Sequence, residues 1–268
     1  MRNIVINNTI HYCWFGGNPL PPMAEKCIAS WKRFCPDYEM VRWDESNYDL
    51  TSAPEYVRQA YERKKWAFVT DYVRLQIVYE NGGVYLDTDV ELKKSLDSLR
   101  DNRAYFGFED GKYVNTGLGF GSEAHHPLLR EMMDDYIGIP FVLPDGSLDQ
   151  TPCPQRNTDV FLRHGLKQDD SMQLLEDGVL ILPSRFLCPI DNRTRRKKMS
   201  KDVISVHHYS ASWQDEKLNK RWRKLQNSHR REDAIYRITH IPNNIAIKLL
   251  GAEKYERLKK KLKGNRGV

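Results

Sequence analysis

Hydrophobic positions near the start of the chain form two short runs separated by a helical repeat. The runs cover residues 10–15 and 38–43, and each ends at a glycine-rich or polar turn. Between them, residues 21–35 repeat apolar positions at spacings of three and four, which is typical of an amphipathic helix. A strand, a helix and a second strand in this order favour a parallel sheet and an α/β fold.

The strongest helical pattern covers residues 54–81, with a predicted break near Lys64 and Lys65. Further helices are predicted at 127–136 and 159–164, strands at 104–108, 179–182 and 203–206, and a long loop at 138–154. The helical positions expected in the core are Met23, Cys27, Ile28, Trp31, Phe34, Phe68, Tyr72, Leu75 and Tyr79.

The 54–81 helix leads directly into a glycine pair, a short apolar strand and two carboxylates. Gly82 and Gly83 are expected to end the helix in the left-handed conformation. Along an extended chain, Asp87 and Asp89 project to the same side, roughly 6–7 Å apart at the backbone. Two carboxylates this close repel each other unless a cation such as Mn²⁺ or Mg²⁺ neutralises them. The alternative is a strand end whose aspartates cap the next turn.

Asp71 and Arg74 are neighbours on the surface of the same helix, because they are three residues apart. As an exposed ion pair they would contribute only roughly a few tenths of a kcal/mol. The functional alternative is that they face the carboxylate-bearing strand, where they could bind sugar or ribose hydroxyls and a phosphate oxygen.

Two other segments combine strand-like residues with groups that bind ligands. Trp14 lies at the end of the first strand, where open α/β sheets bind ligands, so its ring either stacks on a base or packs in the core. His207 and His208 follow the 203–206 strand and precede Trp213. A neutral imidazole is a good ligand for Mn²⁺-type ions, so one histidine is expected to complete a metal site and the other to support it.

Glycines alternate with apolar residues at 115–121, as they do where the backbone approaches a ligand or another strand closely. The segment does not fit G-x-G-x-x-G and lacks the lysine of a phosphate-binding loop. Neither a dinucleotide site nor a Walker site is therefore predicted.

Composition favours one large domain with an appendage. The chain has 268 residues, 40% of them hydrophobic, and no apolar run approaches the roughly 20 residues of a membrane span. No signal peptide is recognised, and five cysteines without C-x-x-C spacing favour reduced thiols. We therefore expect a cytoplasmic protein whose main domain covers residues 1–213.

Charge separates a tail from this domain. Residues 214–268 carry 16 Lys and Arg against 6 Asp and Glu, a balance of +10, whereas the preceding residues carry −4. A basic helical extension of this kind lies either on an anionic membrane surface or on the body of the protein as a solvated helix pair. The acidic body has no matching basic patch, so nucleic acid is not an expected partner.

Five ordered blocks of the chain resemble glycosyltransferase family 32, the D-x-D sugar transferases that include bacterial capsular polysaccharide and O-antigen enzymes. The blocks are IHYCWFGG at 10–17, AFVTDYVR at 67–74, GGVYLDTD at 82–89, NTGLGFG at 115–121 and HHYSASW at 207–213. The resemblance covers about residues 9–213. It departs at residues 7–9, where relatives often have Pro-Lys, and this difference affects the start of the first strand but no site residue.

The resemblance implies a GT-A-type fold with a mostly parallel central sheet, a UDP-sugar donor and transfer with retention at the anomeric carbon. It implies donor contacts from Trp14, Asp71, Arg74, Tyr85, Asp87, Asn115 and Trp213, with Asp71, Arg74 and Asn115 as catalytic residues. The implied metal ligands are Asp87, Asp89 and His208, with His207 as the fallback.

The implied reaction moves a hexose from UDP-Gal, UDP-Glc or an N-acetyl form to a saccharide acceptor, expected to be lipid-linked, at the inner face of the cell membrane. A divalent cation on the diphosphate would stabilise the leaving group. No carboxylate nucleophile is evident, so same-face attack by the acceptor hydroxyl is the hypothesis for retention. The alternatives are a metal-dependent nucleotidyltransferase or phosphohydrolase, and a catalytically silent nucleotide-sugar-binding module.

Overall fold

A computed structural model describes residues 5–190 and 198–209, together with Lys254 and Arg257. The residues described up to 209 belong to one compact unit, while Lys254 and Arg257 are exposed, helical residues of a second unit. The predicted domain boundary at 213 and most of the predicted basic extension lie outside the described residues and stay predictions.

Residues 5–190 and 198–209 contain nine strands and six α-helices. In chain order these are β1 (Thr9–Cys13), α1 (Pro22–Phe34), β2 (Glu39–Trp43), α2 (Glu55–Glu62), α3 (Trp66–Asn81), β3 (Gly83–Tyr85), β4 (Val90–Leu92), β5 (Ala104–Gly107), β6 (Phe120–Ser122), α4 (Pro127–Asp134), α5 (Cys153–Arg163), β7 (Gln173–Leu175), β8 (Val179–Leu182), α6 (Ser184–Leu187) and β9 (Ser205–His207). Within this described part, no helix has both the length and the apolar character needed to cross a bilayer.

Seven strands form the central sheet, in the order β2-β1-β3-β6-β5-β8-β7. The strands β2, β1, β3, β5 and β8 run in one direction, and β6 and β7 run against them. The predicted α/β class with a mostly parallel central sheet is therefore confirmed. The remaining strands, β4 and β9, form a separate antiparallel pair in which Val90 lies opposite His207.

Hydrophobic side chains cover both faces of the central sheet. Successive residues of β3 fall into different clusters, because Val84 packs with residues of α1 and Tyr85 packs with residues of α3, α4 and α5. Side chains alternate along a strand, so a strand covered on both faces is apolar at every position. This double burial explains why β3 appears in the sequence as an uninterrupted apolar run.

The connection from α3 into β3 follows the predicted glycine pair. Gly82 and Gly83 have φ angles of 65° and 96°. A Cβ atom on Gly83 would lie 2.8 Å from the carbonyl oxygen of Thr9, so the turn has no room for a side chain. The predicted helix break is also confirmed, since α2 ends at Glu62 and α3 begins at Trp66.

Two sequence-based expectations about helices are wrong. The helix α5 begins at Cys153 and not at residue 159, because its prolines lie before it and in its first turn, where a missing N–H breaks no helical hydrogen bond. Met23 is 38% exposed, since the buried face of α1 is formed by Ala24, Cys27 and Trp31. The short elements β4, β7 and α6 were not predicted.

Candidate active site

The candidate site lies at the carboxyl ends of β1 and β3, where open α/β sheets bind ligands. Trp14 follows β1, and Asp87 follows β3 after one intervening residue. Asp71 and Arg74 come from the middle of α3. The helix and the strands it packs against therefore bring three of the predicted charged residues together.

Arg74 joins two carboxylates. Its Nη2 atom lies 3.0 Å from Asp71 Oδ1 and 3.5 Å from Asp87 Oδ1. The guanidinium is also fixed at its base, because Nε donates a hydrogen bond of 2.8 Å to the Thr70 carbonyl. Arg74 is only 3% exposed. The Asp71–Arg74 pair is thus a buried arrangement that faces the carboxylate-bearing strand, and not an exposed helical ion pair.

Tyr85 orients the Asp87 carboxylate through a hydrogen bond. Its hydroxyl donates a hydrogen bond of 3.0 Å to Asp87 Oδ1, and the Arg74 guanidinium lies 5.2 Å from the centre of its ring. Tyr85 is 1% exposed. Its described contacts orient other site residues, and its predicted direct contact with a donor stays a prediction.

Asp87, Asp89 and His207 converge. One potential ligand atom from each residue lies within 4.8 Å of the other two. The convergence does not come from the predicted extended chain, because a turn follows β3 in which the Val90 N–H donates to the Asp87 carbonyl at 2.9 Å. The turn, and not strand alternation, brings the two carboxylates together.

This group of three fits a divalent cation. Two carboxylates and one imidazole form a donor set that suits Mn²⁺-type ions, and carboxylates alone also bind Mg²⁺. His207 Nε2 lies 3.1 Å from Asp89 Oδ1. Its other ring nitrogen, Nδ1, is buried and has no hydrogen-bond partner among residues 5–190 and 198–209. Asp87, Asp89 and His207 are therefore the candidate ligands.

Without a cation the group is electrostatically strained. Burial raises the pKa of Asp87, and nearby Asp89 raises it further against the opposing effect of Arg74. Burial alone would lower the pKa of His207, but Asp89 and Asp87 outweigh it and raise that pKa above its usual value. A positive charge at this position would relieve the repulsion between the carboxylates.

The structure places His207, and not the preferred His208, beside the two aspartates. Successive side chains of a strand point to opposite faces, so His208 turns away from the group. Its Nε2 atom lies 2.8 Å from Glu91 Oε2. Its backbone N–H donates to the Asp89 carbonyl at 3.0 Å, which continues the ladder between β4 and β9. The predicted placement of His208 is corrected to His207.

Asn115 closes the site from the segment before β6. Its Oδ1 atom accepts a hydrogen bond of 2.7 Å from the Gly117 N–H. A Cβ atom on Gly117 would lie 2.8 Å from Asp87 Oδ2 and 3.1 Å from Arg74 Nη1. The predicted close approach of the glycine-rich segment is confirmed, and it is directed at the charged residues.

Two residues of the site, Cys153 and Glu109, were not predicted from the sequence. The Cys153 thiol contacts Asp71 and lies 3.7 Å from Asn115 Oδ1. Glu109 forms side-chain hydrogen bonds with Asn115 and Tyr209. Glu109 follows β5, so the rule that selected Trp14 at a strand end could have identified it, whereas nothing local indicates Cys153.

The two predicted tryptophans differ in what the structure describes. Trp14 is half-buried, and its indole N–H donates to the Asn18 carbonyl at 2.6 Å. Its predicted stacking on a base stays a prediction. Trp213 lies outside the described residues.

Residues 21–106 match a family model described as "Glycosyltransferase sugar-binding region containing DXD motif". This part of the chain is therefore similar to a D-x-D sugar-binding region. The matched range contains Asp71, Arg74, Asp87 and Asp89, while His207 lies beyond it. The family resemblance seen in the sequence is confirmed at this level, and the bacterial capsule or O-antigen type stays a prediction.

The chain is similar to two curated proteins that are named as glycosyltransferases. Inositol phosphoceramide mannosyltransferase 3 of Schizosaccharomyces pombe is 31% identical over 140 residues, covering 49% of this chain and 37% of that protein. Alpha-1,4-N-acetylglucosaminyltransferase of Homo sapiens is 31% identical over 75 residues, covering 28% of this chain and 21% of that protein. The chain thus spans well under half the length of either relative.

Among solved structures, the PaToxG glycosyltransferase is similar with a TM-score of 0.46 at 15% sequence identity. The similarity covers 59% of this chain and 69% of that one.

Proposed function

We propose that this protein is a metal-dependent glycosyltransferase of GT-A type that transfers a hexose from a UDP-sugar to a saccharide acceptor with retention. One observation carries the proposal. The Asp87–Asp89–His207 group lies next to the Asp71–Arg74 pair, and four of these five residues fall in the matched sugar-binding region. A cation site beside a buried site for hydroxyl groups suits a nucleotide-sugar donor.

Asp87, Asp89 and His207 would hold Mn²⁺ or Mg²⁺. When bound, the cation would supply positive charge to the diphosphate as the glycosidic bond breaks. Tyr85 would keep the Asp87 carboxylate oriented through its hydrogen bond of 3.0 Å. Arg74, which is 3.5 Å from Asp87, would limit rotation of that carboxylate.

Asp71 and Arg74 would position the donor sugar and ribose through hydroxyl contacts. Burial raises the pKa of Asp71 to about 6, although Arg74 opposes the shift. The Asp71 carboxylate is therefore mostly ionised at neutral pH and can accept hydrogen bonds. Asn115, fixed by Gly117, would add a polar contact, and Trp14 would stack on uracil.

Retention would occur by attack of the acceptor hydroxyl on the face from which UDP departs. Asp71 and Asp87 are each paired with Arg74 and are assigned to donor positioning and cation binding in this proposal, so it includes no carboxylate nucleophile. Trapping a covalent glycosyl-enzyme would contradict this step.

The proposed acceptor is a lipid-linked saccharide used in surface polysaccharide synthesis at the inner face of the membrane. The family resemblance and the basic residues 214–268 support it. One similar protein is named as a mannosyltransferase and the other as an N-acetylglucosaminyltransferase. Because these names differ in the sugar that is transferred, the donor sugar of this protein has to be measured.

A nucleotidyltransferase or phosphohydrolase is the weaker candidate. Two-metal phosphoryl chemistry requires further carboxylates around a second ion. Across residues 5–190 and 198–209, Asp87, Asp89 and His207 form the one group of His, Cys, Asp and Glu with metal-site geometry. The other alternative is a catalytically silent module, which would bind a nucleotide sugar without converting it. Measuring turnover of the donor distinguishes this module from an enzyme.

Donor hydrolysis tests the proposal. Purified protein with Mn²⁺ is incubated with UDP-Gal, UDP-Glc, UDP-GlcNAc, UDP-GalNAc and GDP-Man, and nucleotide release is followed. We expect release from one UDP-sugar, reduced at least about a hundredfold by Asp89→Ala because charge stabilisation of the leaving group is lost. Silence on every donor, without Mn²⁺-dependent UDP binding, would contradict the proposal.

A further inference from the structure

The Glu91 carboxylate on β4 contacts side chains from α1 and from the end of β9. Its Oε2 atom lies 2.8 Å from His208 Nε2 and 3.1 Å from Lys26 Nζ, and its Oε1 atom lies 2.6 Å from Lys93 Nζ. Lys26 belongs to α1, Glu91 to β4, and His208 directly follows β9. The Glu91 and His208 side chains are each 12% exposed, so the contact between them is largely shielded from water.

The strand that carries His207 is short and has a single neighbour in its sheet. The strand β9 contains three residues and pairs with β4 alone in the described sheets. The Ile204 N–H, directly before β9, also donates to the Phe186 carbonyl at 2.8 Å. A pair of three-residue strands has few backbone hydrogen bonds, so side-chain contacts contribute to holding it in place. On the face of the ribbon opposite His207, Glu91 and His208 supply such a contact.

We propose that Glu91 and His208 are positioning residues that hold β9 in place so that His207 stays beside Asp87 and Asp89. This inference rests on the proposed metal site. Neither residue belongs to the Asp87, Asp89 and His207 group. The pair acts through the backbone of β9, which His208 also fastens by donating its N–H to the Asp89 carbonyl at 3.0 Å.

Tyr209 provides a second contact that holds the segment around β9, so variants of Glu91 and His208 are expected to fold. Tyr209 packs its ring 4.3 Å from the His207 ring and places its hydroxyl 2.8 Å from Cys188 Sγ. Loss of the Glu91–His208 contact therefore loosens β9 without removing every contact of the segment.

The test compares His208→Gln and Glu91→Gln with His164→Gln in the full-length protein. His164 is a matched control, because its Nε2 atom lies 2.6 Å from Glu131 Oε2 in a pair that links the end of α5 to α4. Electron paramagnetic resonance of free Mn²⁺ gives the affinity of each variant for the ion. Hydrogen exchange of the 205–207 amides, measured without metal, reports how readily the β4–β9 pairing opens.

We expect about tenfold weaker Mn²⁺ binding in His208→Gln and in Glu91→Gln, the size of effect seen for groups that orient metal ligands. The 205–207 amides should exchange faster in both variants, and His164→Gln should match the wild type. The double variant should bind Mn²⁺ no more weakly than Glu91→Gln, since both changes act on the same contact.

Wild-type affinity and wild-type exchange in both variants would overturn the inference and leave the metal site standing. An equal loss in His164→Gln would also overturn it, because the effect would then be general. Wild-type protein that binds no Mn²⁺ would overturn the proposed metal site and this role together.

Discussion

The most connected residue of the site is Arg74. One guanidinium serves Asp71, which is proposed to contact the donor, and Asp87, which is proposed to bind the cation. Its planar group presents several donors in fixed directions, which an ammonium cannot reproduce. These ion pairs explain how the charged Arg74 side chain can be as buried as the apolar residues around it.

His11 is a buried histidine outside the proposed chemistry. Its Nδ1 atom accepts a hydrogen bond from Trp43 Nε1 at 3.1 Å, so the ring proton is on Nε2 and is donated to the Gly82 carbonyl at 3.0 Å. A second proton on Nδ1 would break the contact with Trp43. Burial lowers the pKa of His11 to about 4, although the Gly82 contact opposes the shift.

The depressed pKa of His11 predicts acid sensitivity. As pH falls from 6.5 to about 4, the unfolded chain binds a proton at His11 that the native state refuses, so the free energy of unfolding decreases. The loss amounts to about 3 kcal/mol from this group. Urea unfolding across that range should show a shallower pH dependence in His11→Gln than in the wild type.

The exposed His125 provides the control for this measurement. His125→Gln should keep the pH dependence of the wild type. Equal slopes for His11→Gln and the wild type would show that His11 does not stay neutral in the fold.

At the scale of elements, the short 3₁₀ turn at Thr116–Leu118 packs against the charged residues without room for a methyl group. Gly117→Ala should push Asp87 from its position and lower donor turnover about a hundredfold, as small misplacements of reacting groups do. Nucleotide release and thermal unfolding measured together would separate a site effect from a loss of fold.

Gly107→Ala is the matched control for the turn. There a new Cβ would lie 2.8 Å from Leu187 Cδ1, so the crowding would fall on an apolar side chain and not on the charged residues. Turnover should stay near the wild-type level. A similar loss in both variants would indicate general disruption and would contradict the specific role of the turn.

Local patterns predicted the elements that depend on local rules. The glycine pair ended α3, the break at Lys64 and Lys65 separated two helices, and helical spacing placed Asp71 beside Arg74. Which of His207 and His208 lies beside the aspartates depends on the register between β4 and β9, strands more than a hundred residues apart. No periodicity within either strand contains that information.

The sequence predicted correctly that Asp87 and Asp89 lie close together, but it attributed this to an extended strand. An extended chain and a turn can both bring alternate carboxylates to one side, and only the turn is present. The contact of Cys153 with Asp71 was likewise beyond the sequence, since it requires α5 to pack its first turn on the site.

At the scale of the whole molecule, charge predicts an interaction with membranes. Residues 214–268 carry a balance of +10. Basic segments are attracted to anionic lipid by about 1 kcal/mol per charge near the surface, and salt weakens that attraction. The full-length protein should sediment with vesicles containing phosphatidylglycerol and be released by high salt.

Neutral phosphatidylcholine vesicles are the control for this interaction. They should leave the protein in the supernatant. Equal sedimentation with both lipids, or none with either, would contradict a membrane role for these residues.

The candidate ligands arrive at very different times during synthesis. The ribosome adds Asp87 and Asp89 well before His207, and β9 has no strand partner except β4 in the described sheets. A nascent chain can therefore complete the central sheet while the imidazole is still missing from the cation group. A product terminated before residue 205 would contain Asp71, Arg74 and Asp87 but lack the third ligand, so the proposed cation group cannot be complete until β9 has been synthesised.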